Sequence, residues 1–295
     1  MNMKKACIFG GEGFVGKNLV EELNREGWEY DVVDKRHPVE PLDITNNDHQ
    51  LEIERRVKEC DVLFNLAAIP AHRLSISDPY NIIYNNYVVT LRAAELCRKY
   101  NKKLVHASSF SVYGNQGIPW REDSPMQGTT PYSHSKIIGE ELLEMYSKIY
   151  GTDIIVARLS NVFGSSEYLH LPKQVVPTWL DLVKEQKQIT VYGETTTRDF
   201  TYSWDVARAL IILSNQKGYD RFNVCSGEET KLIDVAGWMT NDVKVEELPS
   251  HEATRWVGDN SKMMSLGWAP TKTIYSWIKE EMLRRGMIDL EKWGE

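Results

Sequence analysis

A glycine cluster between an apolar run and an amphipathic run narrows the fold of this chain more than any other feature. Ala6-Cys7-Ile8-Phe9 is a short apolar run that ends in Gly10-Gly11-Glu12-Gly13-Phe14-Val15-Gly16. Val15 to Leu23 then carries apolar residues at helical spacing. Glycines between a strand and a helix let the backbone turn tightly and approach a pyrophosphate, which rests on the positive helix N-terminus. Glycines alone would read as an ordinary turn, and their position argues against that. Asp34 follows the next expected strand, Tyr30 to Val33. A carboxylate there accepts hydrogen bonds from a ribose 2′-hydroxyl and repels a 2′-phosphate, which favours NAD over NADP. Lys35 and Arg36 follow at once and pull the other way.

The first half continues in strand–helix alternation. A polar helix is expected over Leu51 to Val57 after the candidate caps Asn46, Asn47 and Asp48, and a third strand over Asp61 to Leu66. Asp78-Pro79 opens a helical stretch to about Tyr100, and Lys103 to Ala107 is the next strand. Pro131 opens another helix, and Ile154 to Ala157 is a further buried strand. Such alternation predicts an α/β fold, a doubly wound parallel sheet with helices on both faces. Ligands then bind at the carboxyl ends of the strands. Beyond Ser165 the rhythm loosens into a helix over Gln174 to Glu185, a Gly/Thr-rich loop over Gly193 to Thr197 and a terminal helix over Ile274 to Arg285. Asp205 to Leu213 and Phe222-Asn223-Val224 read as one more helix and strand of the main sheet. The smaller second domain is therefore expected to be discontinuous.

Tyr132-Ser133-His134-Ser135-Lys136 carries the chemistry. A tyrosine and a lysine four apart share one face of a helix. A free phenol, with a pKa near ~10, is a poor base at neutral pH, and a nearby ammonium lowers that value. The pair is a proton shuttle suited to an alcohol whose carbon gives up a hydride. Ser108 and Ser109 end the fourth strand; a hydroxyl there either donates to a sugar oxygen beside Tyr132 or closes a serine-rich turn. Asp43-Ile44 either holds an adenine ring or forms a surface turn. Leu66, Ala67 and Ala68 leave room for a cofactor ribose or simply pack closely. Arg158, Arg198 and Arg255 are candidate phosphate clamps, or else ordinary salt-bridged arginines.

Composition limits the partners. The net charge of −7, from 35 basic and 42 acidic residues, argues against nucleic acid or an anionic membrane. No apolar run is long enough to span a bilayer. The run after Lys4 and Lys5 is short and reads as a strand, not a signal peptide, so a soluble cytoplasmic protein is expected. Four scattered cysteines read as reduced thiols, and the histidines show no metal-ligand spacing.

In this order the motifs resemble the extended short-chain dehydrogenase/reductase superfamily, in its NAD-dependent epimerase/dehydratase branch. The resemblance covers Gly10-x-x-Gly13-x-x-Gly16, Asp43-Ile44, Asn65-Leu66-Ala67-Ala68, Asn86, Ser108-Ser109, Val112-Tyr113-Gly114 and Pro131-Tyr132-x-x-Ser135-Lys136. It continues through Arg158-x-x-Asn161-Val162-Phe163-Gly164, Arg198-Asp199-Phe200, Asp205-Val206 and Leu266-Gly267-Trp268. It implies an NAD-binding Rossmann domain of seven or so parallel strands over residues 1–165, with 189–226 returning to it. A nucleotide-sugar domain would comprise 166–188 and 227–295. Tyr132 would be the catalytic base and acid, Lys136 its partner and a ribose contact, and Ser109 the sugar-hydroxyl contact. Gly10, Gly13, Phe14, Val15, Gly16, Asp34, Lys35, Asp43, Ile44, Leu66, Ala67, Ala68, Asn86 and Ser108 would complete the cofactor site. Asn161 and Arg198 would hold a sugar-nucleotide pyrophosphate, with Ser111 and Glu252 also on the substrate side.

Within the branch, 4,6-dehydratases carry Asp-Glu directly after the residue matching Ser109, and UDP-glucuronate decarboxylases carry Glu two residues after it. Phe110 and Ser111 stand there instead. The resemblance thus implies a UDP-glucose/UDP-galactose 4-epimerase, or one acting on N-acetyl forms, working through a transient 4-keto sugar. Pro249 departs from the arginine those enzymes often use for the nucleoside. An NDP-sugar 4-reductase or another epimerase/reductase is the alternative. A non-catalytic dinucleotide sensor is a remoter one, since such proteins commonly lose the tyrosine or the lysine. The long helices over Asn86–Tyr100 and Tyr132–Tyr150 resemble the family's dimer helices, so a homodimer is expected.

Overall fold

The computed structural model describes residues 4–70, 72–164, 175–250 and 252–288. In chain order the elements are β1 (Lys5–Phe9), α1 (Phe14–Arg25), β2 (Glu29–Val33), α2 (Gln50–Glu59), β3 (Val62–Asn65), α3 (His72–Ser77), α4 (Pro79–Tyr100), β4 (Lys103–Ser109), α5 (Pro131–Tyr150) and β5 (Ile154–Leu159). There follow β6 (Asn161–Phe163), α6 (Val175–Lys184), β7 (Ile189–Tyr192), β8 (Thr197–Tyr202), α7 (Ser203–Leu213), β9 (Tyr219–Val224), β10 (Glu229–Lys231), α8 (Leu232–Gly237), β11 (Val243–Glu246), α9 (Ser261–Met264) and α10 (Ile274–Arg284).

Six parallel strands form the main sheet in the order β2-β1-β3-β4-β5-β9. This is a Rossmann sheet, with six strands among the described residues where seven or so were expected. Strand order reverses between β1 and β3, and the crevice at that switch is where such sheets take ligands. The central strands are covered on both faces, so β5 (Ile-Ile-Val-Ala-Arg-Leu) is buried along its whole length. The four cysteines are free and buried.

Helix ends follow local chemistry. Asp78 caps α4 by accepting from the Asn81 amide, Pro79 starts the helix, and Asn101 ends it at φ 51°. Thr130 and Ser133 form a reciprocal capping box at the start of α5, with Pro131 as its first residue. Gly151 ends α5 at φ 69°. This box holds Tyr132 in the first turn. The expected caps of α2 act one step earlier. Asn46 caps a short 3₁₀ turn, Asn47–His49, and α2 begins at Gln50 without a side-chain cap.

The segment expected to return to the main sheet is divided. Only α7 and β9 do so; β7 pairs with β11, and β8 lies between β6 and β10. The burial of β7 alternates between buried and half-buried, which suits a pair covered on one face and not the middle of a doubly covered sheet. Residues 166–174 and 289–295 of the expected second domain lie outside the described residues. So does Gln174, where the α6 helix was expected to begin.

Arg158 is no phosphate clamp. It is 1% exposed inside the sheet–helix layer and forms a forked ion pair with Glu140 of α5, with Nη2 2.7 Å from Oε2 and Nε 3.0 Å from Oε1. Ser108 donates to the same carboxylate at 2.5 Å, and Arg221 approaches it at 3.2 Å. Arg158 also donates to the Tyr113 hydroxyl at 2.9 Å, which donates on to Asn223 at 2.6 Å. Removing one partner of a buried pair strands the other charge. Glu140→Ala should lower stability by about 3–5 kcal/mol in urea unfolding. A loss below about 1 kcal/mol would show that α5 does not depend on this pair.

Candidate active site

The glycine turn is tight and close-packed. Gly10 has φ +83°, and a Cβ on it would stand 2.8 Å from the Ala67 backbone. A Cβ on Gly16 would stand 2.2 Å from the Gly10 carbonyl, so α1 packs directly on the turn. Gly13 precedes α1, a 12-residue helix, without a side-chain cap hydrogen bond, and a helix N-terminus of this kind favours an anion. Phe14, Val15, Asp34, Lys35, Asp43 and Ile44 join these glycines along a cleft of about 1440 Å³.

The acidic end of β2 differs from expectation. Asp34 is 5% exposed, and the chain itself occupies both of its carboxylate oxygens. Oδ1 accepts from the Arg36 amide at 2.9 Å and from Nε at 3.2 Å; Oδ2 accepts from the Glu12 amide at 3.1 Å and from Arg36 Nη2 at 3.2 Å. Asp43 accepts from the Thr45 amide at 2.8 Å and from the Thr45 hydroxyl at 2.7 Å, which holds its carboxyl below the usual range against the opposing effect of burial. Leu66, Ala67 and Ala68 line the cleft beyond β3. Asn86 also faces it while pinning two elements. It accepts from the Ile69 amide at 2.8 Å and donates to Ser135 at 3.0 Å.

Tyr132, Lys136, Ser109 and Ser111 line the same cleft. Burial pushes the Tyr132 phenol up to about 12, and a hydrogen bond with the Ser109 hydroxyl acts in the opposite direction. Burial also pushes Lys136 down to about 8, opposed by the Glu140 carboxylate one turn along. The ammonium donates to the Ala107 carbonyl at 2.9 Å. The expected lowering of the phenol by Lys136 is not seen: burial sets the direction, and the opposing influence comes from Ser109 and not from the ammonium. Ser108 lines the cleft, but its hydroxyl is committed to Glu140. Phe110 is fully buried, edge-on to Tyr113 and Trp120 with centroids 5.5 and 5.7 Å away. Ser111 is 4% exposed, and its hydroxyl finds no hydrogen-bond partner among the described residues.

At the other end Arg198, on β8, is 9% exposed. It donates to the Thr197 and Ala253 carbonyls at 2.8 and 3.0 Å and to Glu252 at 3.3 Å, and its guanidinium lies 4.9 Å from the Trp256 ring centroid. Burial pushes its pKa down to about 10, against the pull of Glu252, so it stays charged at neutral pH. Asn161 lines the same stretch with a buried amide nitrogen that has no partner among the described residues. Arg255 instead lies at the surface, paired to Glu229 at 2.6 Å. Sequence reasoning missed Trp256, Thr190 and Tyr192 as lining residues. No local motif marks them, since the loop after Glu252 and strand β7 reach the cleft only through tertiary packing.

The family model described as NAD dependent epimerase/dehydratase matches residues 6–225. The chain belongs to this family. It is 28% identical over 303 residues to UDP-glucuronate 4-epimerase of Thermodesulfobacterium geofontis, covering 92% of this chain and 93% of that protein. It is 29% identical over 257 residues to UDP-N-acetyl-alpha-D-glucosaminuronate decarboxylase of Bacillus cytotoxicus, covering 79% of each. The crystal structure of Thermus thermophilus UDP-glucose 4-epimerase in complex with NAD superposes with a TM-score of 0.82 at 26% identity, covering 93% of this chain and 96% of that one. This epimerase/dehydratase-family chain is therefore an enzyme with NAD as cofactor, and its glycine cradle and uncapped α1 amides fit that group. Among the described residues no helix is long and apolar enough to cross a membrane, and no cluster of three or more His, Cys, Asp or Glu side chains is placed to hold a metal.

The lysine carries a pH signature. Its folded pKa is depressed, so the folded chain bears a desolvation cost while Lys136 is charged, and that cost disappears as the unfolded lysine also loses its proton. Lys136→Met should be more stable than the wild type at pH 7. Its advantage should shrink as pH rises from about 8 towards the free-lysine value of ~10.4. Urea midpoints at neutral and alkaline pH measure this. An advantage that grew with pH would contradict the burial of a charged lysine.

Proposed function

We propose that this enzyme is a UDP-hexose 4-epimerase, acting on UDP-glucose/UDP-galactose or their N-acetyl forms. One observation carries the choice of reaction. Ser109, Tyr132 and Lys136 converge, while the two residues after Ser109 bring no carboxylate: Phe110 is locked in an aromatic cluster and Ser111 offers only a hydroxyl. Water elimination and decarboxylation lack the acid that the family's dehydratases and decarboxylases carry at those places. Oxidation and re-reduction at one carbinol carbon require only a proton carrier beside the cofactor.

Bound NAD supplies a reversible hydride acceptor at the sugar carbon. The chain does the rest. Gly10, Gly13, Gly16 and the first amides of α1 hold the dinucleotide pyrophosphate; Phe14 and Val15 flank it. Asp34 and Lys35 face the adenosine ribose, Asp43 and Ile44 the adenine, and Leu66, Ala67, Ala68 and Asn86 the wall beyond. Ser108 contributes only backbone, because its hydroxyl is held by Glu140. Tyr132 Oη takes the sugar hydroxyl proton and later returns it. Ser109 orients that hydroxyl, and Ser111 offers its unpartnered group to the sugar. Lys136 sets a positive field beneath the phenol and contacts a ribose. Asn161 and Arg198 hold the sugar-nucleotide pyrophosphate, with Glu252 towards the nucleoside. In this reading 166–188 and 227–295 act as the nucleotide-sugar unit. Tyr80 and Tyr84 near the start of α4, and Met145, Ile149 and Tyr150 near the end of α5, are exposed large apolar side chains on this helix pair, which suits a homodimer.

Tyr132→Phe should keep the fold and NAD binding but lower turnover roughly 10²–10⁴-fold, the scale of lost general acid/base catalysis. Product analysis by NMR with UDP-hexoses decides the reaction. A 4-epimer supports the proposal, whereas a 4-keto-6-deoxy product or loss of carbon dioxide from a UDP-uronate overturns it.

Arg198→Ala should weaken UDP binding about ten- to a hundredfold, the loss of one charge-assisted contact worth about 1.5–3 kcal/mol, with NAD affinity nearly unchanged. Calorimetry that gave equal UDP affinities would remove Arg198 from the clamp.

A further inference from the structure

The adenosine end of the NAD site has an unusual charge arrangement. An ionised carboxylate offers about four lone-pair positions. Asp34 already holds four donors, two of them from the Arg36 side chain. A ribose 2′-hydroxyl therefore reaches Asp34 only by displacing a guanidinium nitrogen. A phosphate would meet the guanidinium itself.

Arg36 is well placed for that. Its side chain is 43% exposed, and both side-chain contacts to Asp34 are 3.2 Å, longer than the ~2.7–2.9 Å of a tight charge-assisted bond. Its Nη2 also lies 3.7 Å from where a Gly13 Cβ would stand, so the guanidinium bridges the end of β2 and the glycine turn. Lys35 lines the same end of the cleft. The other acids nearby are engaged: Glu12 pairs with Lys17 at 3.4 Å, and Asp43 is held by Thr45. Asp43 stays a carboxylate and Lys35 acts on it, so Arg36 and Lys35 together offset Asp34 and Asp43, and the exposed guanidinium is the group open to an incoming phosphate.

We propose that Arg36, drawn across Asp34, forms a 2′-phosphate site, so that this protein binds NADP as well as NAD. Asp34 then positions Arg36 as well as facing the ribose, and the guanidinium turns from the carboxylate to the phosphate when the phosphorylated dinucleotide enters. This rests on the dinucleotide site alone and is independent of which sugar is processed.

Calorimetry on the full chain, freed of any co-purified dinucleotide, tests it with NAD and NADP as the ligands. Wild-type affinities for the two should lie within about tenfold of each other; a wider gap in favour of NAD overturns the proposal. Arg36→Gln should weaken NADP about ten- to a hundredfold relative to NAD, as expected for one charge-assisted phosphate contact. An unchanged NADP-to-NAD ratio would mean that Arg36 only stiffens the turn. Should that variant not fold, wild-type binding of adenosine 2′,5′-bisphosphate against adenosine 5′-monophosphate gives the same answer. Equal or tighter binding of the bisphosphate supports the 2′-phosphate site, and weaker binding overturns it.

Discussion

The forked pair between Glu140 and Arg158 is the interaction on which the active site depends. It joins α5 to β5 in a region from which water is excluded. Through Ser108 it also reaches the end of β4, and through Tyr113 the turn that follows. Tyr132 and Lys136 lie on α5, and Ser109 lies at the end of β4. Their mutual placement therefore depends on how α5 seats against the sheet. The capping box at Thr130 fixes where the helix begins, and the buried pair fixes how it sits. A charge pair in low dielectric is a costly way to join two elements, but it tolerates little sliding.

The same dryness shapes the chemistry. It raises the phenol and lowers the ammonium, so neither charged form is favoured by burial alone. It also strengthens every attraction inside the site, because charges there are weakly screened. Tyr132 can hold a transient negative charge only next to a well-placed cation. In the proposed reaction Lys136, anchored on the Ala107 carbonyl, would be that cation. At the far end Arg198 is treated alike, buried against Trp256 and opposed by Glu252. The enzyme thus buries a few cations along its cleft although its overall charge is negative.

Local rules made much of this legible in the sequence. Gly10 needs a positive φ, Gly16 tolerates no Cβ, Pro131 starts a helix, and Tyr132 and Lys136 share a helix face; each follows from a few neighbouring residues. The arginines show where such reading stops. Arg158, Arg198 and Arg255 look alike as candidates, yet one is locked in the core, one faces the cleft and one lies at the surface. Their partners, Glu140, Glu252 and Glu229, lie 18, 54 and 26 residues away.

The sequence by itself determined the alternating α/β fold, the glycine turn and the tyrosine–lysine helix, because backbone freedom, capping and helical spacing act over a turn or two. Only the tertiary structure decided which charges are buried, which hydroxyls are already committed and which stay open to a ligand. Asp34 illustrates the difference. Its position after β2 and its nearness to Arg36 were visible from the chain, but its burial and its hydrogen bond from the Glu12 amide arise only when the end of β2 packs against the glycine turn. Desolvation and pairing depend on what packs around a group in space, and that information is spread over the whole chain.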